Sequence, residues 1–294
     1  MSTPGSVVVT GASTGIGEAC ALRLDRRGFR VFAGVRREVD GGALKQKASS
    51  RLTPILLDVT DASSIKSAAA AVVAALGEEG LSGLVNNAGI AIAGPLEFLP
   101  IDELRRQFEV NVIGQIAVTQ AFLPLLRKGH GRIVNMGSIA GKSALPFTGP
   151  YCASKFALEA LTDSLRMELL PWNIPVSIIE PAYVTTPIWQ KSLQGGERVA
   201  TMLPPRAHEL YGHAIASMRN IVSNIRKTAL NNDVSADVVA RVVEHALTAN
   251  RPRTRYLVGT AALLRVLLGI LPDRTRDRLI TWRLLRVSIH PGEP

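Results

Sequence analysis

The 294-residue chain has two cysteines, Cys20 and Cys152, too few for a disulfide framework. Each reads as a small buried thiol, and nothing asks for an oxidising compartment. There is no secretory signal pattern: a few residues lead directly into Ser6-Val7-Val8-Val9-Thr10, without a basic lead or a long apolar stretch. The longest apolar segment, 257–271, is interrupted by Arg265 and is shorter than the roughly 20 residues of a bilayer span. His130, His208, His213, His245 and His290 are scattered, with no zinc-binding spacing, so no metal is implied. Internal repeats and low-complexity segments are missing too. These absences point to a cytoplasmic protein, with peripheral contact to a membrane left open.

What is present is globular. Apolar residues make up 47% and charged residues 20%, and the length suits one α/β domain with a full core. The net charge of +10 is unevenly placed: residues 251–294 hold nine arginines against three acids, a net of +6. Such a tail fits an anionic membrane surface, a solvated face or nucleic acid. With one Trp, one Tyr and no recognisable motif, the tail offers little to nucleic acid.

Apolar and β-branched runs alternate with segments of helical spacing. The runs lie at 7–9, 31–32, 55–57, 84–85, 133–134 and 176–179, with a seventh at 256–258. The helical segments lie at 18–27, 62–76, 101–126 and 151–170, and at 236–248 behind the capping residue Ser235. This alternation predicts a doubly wound, Rossmann-like parallel sheet covered on both faces, in one domain over 1–260. Residues 187–233, with Pro204-Pro205 and Gly195-Gly196, form a long insertion after a strand end and read as a lid. Residues 261–294 read as a C-terminal extension with two amphipathic helices, broken at Leu271-Pro272-Asp273.

The first strand runs into Thr10-Gly11-Ala12-Ser13-Thr14-Gly15-Ile16-Gly17 and then a helix. Glycines let backbone N–H groups approach a phosphate, and the helix N-terminus attracts it. The strand before and the helix after supply the context that a glycine turn lacks by itself. Beyond the second strand an NAD enzyme places an acid for the ribose 2′-OH. Here Arg36 and Arg37 stand instead, and guanidiniums suit a 2′-phosphate. NADP(H) is therefore the expected cofactor, with NAD(H) as the alternative.

Tyr151 and Lys155 are i and i+4 on a helix, so their side chains share a face. A nearby ammonium favours the phenolate and lowers the tyrosine from its usual value of about 10. Ser138, at a strand end, can hydrogen-bond a substrate oxygen and stabilise charge developing there.

With Asn86-Asn87-Ala88-Gly89, Asn111 and Pro181-x2-Val184-x-Thr186 added to these motifs, the chain resembles the short-chain dehydrogenases/reductases over nearly all of residues 6–259. The resemblance implies catalysis by Asn111, Ser138, Tyr151 and Lys155. It gives Lys155 the nicotinamide ribose, counts Tyr151 with Lys155 among the cofactor-binding residues, and has Asn111 position a water that links Lys155 to solvent. It places Gly11, Ser13, Thr14, Gly15, Ile16 and Gly17 under the cofactor, and Asp58 and Val59 at the adenine. Asn87, Ala88 and Gly89 would pass along its ribose, and Pro181, Val184 and Thr186 would meet the nicotinamide. Two positions depart from the pattern: Ala182 stands where glycine is frequent, and Thr14 where many NADP members carry a cation.

The insertion, the tail and Arg255-Tyr256-Leu257-Val258-Gly259 resemble the branch of 17β-hydroxysteroid and retinol dehydrogenases. An apolar lid, with Met202, Leu203, Leu210 and Tyr211 among its residues, suits a bulky apolar alcohol or ketone. The resemblance also implies a homodimer or homotetramer through helices 101–126 and 151–170. Two other readings compete: a non-catalytic NADP-binding sensor on this fold, and an enoyl reductase. The complete Asn–Ser–Tyr–Lys set speaks against the first. The three-residue gap between Tyr151 and Lys155 speaks against the second, because family members doing that reaction separate the two further.

Overall fold

The computed structural model describes residues 5–184, 199–212, 216 and 234–284. Thr186 and most of the insertion, including Ile188, Trp189, Leu193, Ile215 and Met218, lie outside them. Seven parallel strands form one sheet in the order β3-β2-β1-β4-β5-β6-β7. They are β1 (Ser6–Val9), β2 (Arg30–Val35), β3 (Leu52–Leu56), β4 (Leu81–Asn86), β5 (Arg132–Met136), β6 (Val176–Pro181) and β7 (Arg255–Val258). Val7, Val8 and Val9 are fully buried, as a central strand with helices on both faces requires.

One face is covered by α1 (Gly15–Arg26) and α7 (Ala236–Thr248), which pack together over Val7, Val9, Val31 and Val134. Ser235 caps α7 as expected, its side chain accepting from the Val238 N–H. The other face carries α3 (Ala62–Leu76) and α5 (Gly114–Lys128), with Phe122 of α5, over Val8, Leu84 and Ile133. The run Ile101–Lys128 is long and apolar enough to cross a membrane by composition, but Val118, Phe122, Leu125 and Leu126 fill the core.

Three local features depart from the sequence reading. A short helix α2 (Glu38–Lys45) follows β2. The expected continuous helix over 101–126 is divided: α4 (Ile101–Phe108) passes through a π-helical turn, Glu109–Ile113, into α5. Helix α6 (Gly149–Glu168) starts two residues before Tyr151. The tail forms α8 (Thr260–Ile270) and α9 (Asp273–Leu284), with the break at Pro272 as expected.

Strand order reverses between β1 and β4: from β1 the chain builds outward to β3, then returns to β4 on the other side. Loops leaving the C-terminal ends of β1 and β4 therefore diverge and leave a crevice, the usual ligand position in an open parallel sheet.

Candidate active site

A cleft of about 510 Å³ opens at this switch point. Gly11, Ser13, Thr14, Gly15 and Ile16 form its floor beneath the N-terminus of α1. Gly11 and Gly15 have φ of +64° and +62°, where a side chain is strained. A Cβ on Gly11 would stand 2.8 Å from the Ala88 Cα. Gly17 lies below the floor rather than on it. Its missing Cβ leaves room for the Gly11 carbonyl.

The Asn86-Asn87-Ala88-Gly89 segment is fixed from beneath. Thr10 Oγ1 accepts from the backbone N–H groups of Asn87 and Ala88 at 2.9 and 3.0 Å. Asn87 Nδ2 donates to the carbonyls of Thr10 and Gly11. Asn86 turns the other way and bonds Thr119 and Asn135 in the core. Asn87, Ala88 and Gly89 line the cleft. Asp58 and Val59 line its far end; the Asp58 carboxylate accepts from the Thr60 N–H and hydroxyl.

Arg36 lines the cleft directly after β2, where the chain reads Val35-Arg36-Arg37 and has no acid. Arg37 does not: its guanidinium makes a two-pronged contact with Asp40 at 2.6 and 2.8 Å. Arg105, Arg106, Glu109 and Val110, from α4 and the π-turn, also face the cleft and went unnoticed in the sequence. They look like an ordinary amphipathic helix there.

Ser138, Tyr151 and Lys155 stand together at the other end, with Asn111, Pro181, Ala182 and Val184. Ser138 lies two residues past the end of β5 and caps a 3₁₀ turn, Ile139–Gly141, accepting from the Ala140 N–H at 3.1 Å. Lys155 Nζ donates to the Met136 carbonyl at 2.7 Å and stands 5.8 Å from the centre of the Tyr151 ring. Asn111 holds both backbone groups of Ile90, at 2.9 and 3.0 Å, and donates to the Ser154 hydroxyl. It sits in the π-turn, whose extra residue turns its amide inward; such turns recur at functional sites.

One electrostatic expectation is corrected. The Lys155 ammonium was expected to lower Tyr151. Burial instead pushes the phenol up to about 12, against the opposing pull of a hydrogen bond with Ser138. Lys155 is drawn down to about 8, again by burial first, with the Glu159 carboxylate pulling it back up. In this environment Tyr151 is a proton donor at neutral pH.

The floor fits a dinucleotide. Helix-terminal N–H groups meet glycines whose Cβ would fill the space, a cation sits where an acid would select a free ribose, and an acid/base group stands at the opposite end. Among the described residues no group of three or more His, Cys, Asp or Glu could hold a metal.

Comparison with known proteins agrees. The family model described as short chain dehydrogenase matches residues 6–196. Retinol dehydrogenase 5 of Mus musculus is 42% identical over 95% of this chain and 89% of its own. An NADPH-dependent 3-dehydrocapnine reductase of Ornithobacterium rhinotracheale is 35% identical over 96% of this chain and 98% of its own. A crystal structure of a short chain dehydrogenase from Burkholderia cenocepacia in complex with NADP has 25% identity. It aligns with a TM-score of 0.69 over 97% of this chain and 99% of that one. The ordered motifs, the cleft and these likenesses agree: the chain belongs to the short-chain dehydrogenase family, NAD(P)-dependent oxidoreductases of alcohols and ketones.

Proposed function

We propose that this dehydrogenase uses NADP(H) to interconvert a bulky apolar alcohol and its ketone, with Tyr151 as acid/base. The observation that carries this reading is the row of Ser138, Tyr151 and Lys155 in a cleft that also bears Arg36, directly after β2, where an NAD enzyme places an acid. The cofactor, when bound, supplies or takes up a hydride. Gly11, Ser13, Thr14, Gly15 and Ile16 would hold its pyrophosphate, with Gly17 supporting them from below. Asp58 and Val59 would hold the adenine, and Asn87, Ala88 and Gly89 its ribose. Pro181, Val184 and, by the motif, Thr186 would hold the nicotinamide.

The chain's own residues then do three things. Tyr151, kept protonated at neutral pH by its burial, donates its proton to the carbonyl oxygen in reduction. Ser138 hydrogen-bonds the same oxygen and stabilises the charge that gathers there. The charged Lys155 compensates that charge in a buried site and would hold the ribose. Asn111 fixes the loop at Ile90 against α6, keeping the row in register. A pure sensor needs none of this row. A ketone panel with both cofactors tests the reading: binding of NADPH without turnover of any apolar ketone would sink it.

Cofactor choice rests on Arg36. Replacing Arg36 by Ala should raise KM for NADPH about ten- to a hundredfold, the equivalent of about 1.5–3 kcal/mol for a charge-assisted contact. KM for NADH should change little. Equal KM values in the unmutated enzyme would remove the argument. The relative named as NADPH-dependent and the neighbour holding NADP support the same choice.

A bulky apolar substrate is supported by the names of the retinol and 17β-hydroxysteroid dehydrogenase relatives. Segment 199–212 supports it too, packing Val199, Leu203 and Ala207 on Ile92 and Leu99 beside the site. Tyr211 there bonds Glu97 and meets Phe98 and Phe147 edge-on.

Two exposed apolar surfaces extend the proposal to partners. Ile101, Ile113 and Phe156, on the α4–α5 and α6 segments, are exposed and suit an isologous contact between copies. Light scattering should give a dimer or tetramer; a monomer at micromolar concentration contradicts this. The second surface is the tail. Arg265, which interrupts the apolar sequence, turns inward to the Ser143 carbonyl at 3.2 Å. The outer face of α8 is thereby left to Leu263, Leu264, Leu267 and Ile270, the last 76% exposed. Trp282, 67% exposed, and the exposed Arg274 and Arg278 follow on α9. Leucines, a tryptophan and arginines suit an anionic bilayer surface. Full-length protein should sediment with anionic vesicles at low salt and be released as salt rises. Protein that stays in the supernatant at low salt would show the tail to be unconnected with membranes.

A further inference from the structure

Behind the row of Ser138, Tyr151 and Lys155 lies a set of charged groups that the chemistry above leaves unused. Glu159 follows Lys155 by one turn of α6, so the two occupy one face. Its Oε2 accepts from Lys142 Nζ at 2.8 Å and from Arg255. Arg255 also donates to Glu180 at 2.9 Å and to Asp163 at 2.6 Å, and Lys142 Nζ stands 3.4 Å from Glu180.

These groups come from different parts of the site. Lys142 follows the turn that Ser138 caps, and Glu159 lies on the helix of Tyr151 and Lys155. Glu180 immediately precedes Pro181, and Arg255 opens β7. Glu159 is 7% exposed, and its second oxygen, Oε1, is buried with no hydrogen-bond partner among the described residues. A buried carboxylate is costly unless nearby positive charge compensates it. Lys155, one turn away and 5% exposed, spends its hydrogen bond on the neutral Met136 carbonyl.

We propose that Glu159 is a positioning residue for Lys155: its carboxylate, clamped by Lys142 and Arg255, supplies the counter-charge that keeps the buried ammonium charged. The same clamp ties the Ser138 turn, the catalytic helix and the strand leading to Pro181 into one unit. The functional part rests on the reading that a charged Lys155 serves the reaction.

The balance of charges around Lys155 supports the assignment. Burial draws the ammonium down, and the charge that pulls it back is that of Glu159. Other groups face α6 from its neighbours. Glu180 stands on β6, with its carboxyl pushed upward by burial and then by Glu159. Lys142 lies beyond the 3₁₀ turn, Arg255 on β7, and Glu103, Arg106 and Glu109 on α4 and the π-turn. On α6 itself stand Tyr151, Asp163, Arg166 and Glu168. Asp163 is already shared between Arg255 and Arg166.

The test follows Lys155 directly. Full-length protein carrying ¹³C at the lysine ε-carbon is titrated by NMR, with the Lys155 signal assigned by its loss in Lys155→Arg. Neither substrate nor cofactor is needed, so the result stands apart from the catalytic reading. The midpoint should lie near 8 in the unmutated protein and fall by about one pH unit in Glu159→Gln, an interaction of the size of a close charge pair. Glu159→Asp should restore most of it. Lys142→Met, which removes a competing cation, should raise it. An unmoved midpoint in Glu159→Gln overturns the proposal, even if the variant melts earlier. Should that variant not fold, a fall or no change in Lys142→Met overturns it equally. In turnover, the alkaline limb of kcat/KM for reduction should move with the midpoint. Flat turnover across that midpoint in the unmutated enzyme would sink the catalytic reading of Lys155 and leave the Glu159–Lys155 coupling standing.

Discussion

Replacing Tyr151 by Phe should cut ketone reduction by about a hundred- to ten-thousandfold, the range for loss of a positioned general acid. The ring stays and only a hydroxyl goes, so packing on the first turn of α6 is preserved. Cofactor binding should persist, because the floor is made by Gly11, Gly15 and the Asn87–Gly89 segment at some distance along the cleft. The removed hydroxyl lies on the cleft, and its hydrogen bond with Ser138 is the pull that opposes desolvation of the phenolate. Ser138 keeps its bond to the Ala140 N–H and is not orphaned. Thermal unfolding should therefore shift little. Stopped-flow kinetics, NADPH fluorescence and a melting curve separate the three effects. A kcat within a few-fold of the unmutated value would remove Tyr151 from the mechanism. Loss of NADPH binding would instead give its hydroxyl a part in holding the cofactor.

That the row could be anticipated at all follows from two periodicities. Tyr151 and Lys155 are one helical turn apart, and a turn is visible in sequence. Ser138 follows a buried parallel strand, whose near-continuous apolar run marks where the next loop must begin. The sheet was legible for the same reason, except at its edge. There β3 begins at Leu52 and includes Pro54, which cannot donate to a ladder and argues against a strand. An edge position tolerates it, because among the described residues one side of β3 has no partner strand.

Other features were hidden for identifiable reasons. Helix α2 contains Gly41-Gly42, poor helix formers, and Gly41 is small because a Cβ would stand 2.9 Å from the Pro54 Cβ. The π-turn at Glu109–Ile113 adds one residue to a helix without changing its composition, so an apolar pattern cannot report it. Arg37 read as a phosphate ligand beside Arg36, yet Asp40, three residues on, satisfies it locally. The clamp on Glu159 draws on positions from 142 to 255, and no periodicity links them. Local order was readable, whereas charge pairing across the fold was not.

The glycine turn gives the second large effect. Gly17 has ordinary helical backbone, and alanine there would gain up to about 1 kcal/mol in helix propensity. Space forbids it. An alanine Cβ would stand 2.2 Å from the Gly11 carbonyl oxygen and 2.4 Å from Asn87 Nδ2. The first of these is backbone and cannot rotate away, so the Gly11 turn or the start of α1 must move. Overpacking of this kind costs about 1–3 kcal/mol. The displaced atoms are the cleft floor, and Asn87 stands to lose its bonds to the Thr10 and Gly11 carbonyls. Gly17→Ala should therefore raise the NADPH Kd by about five- to a hundredfold, the change that this much strain converts to. A matched control is available in Gly42→Ala, where nothing lies within 4 Å and φ is not positive. That change should raise the melting temperature slightly and leave the Kd alone. Calorimetric titration with NADPH on both variants decides the matter. If Gly17→Ala binds NADPH as tightly as the unmutated protein, the turn is pliable, and the close packing beneath Gly11 is not what shapes the cofactor floor.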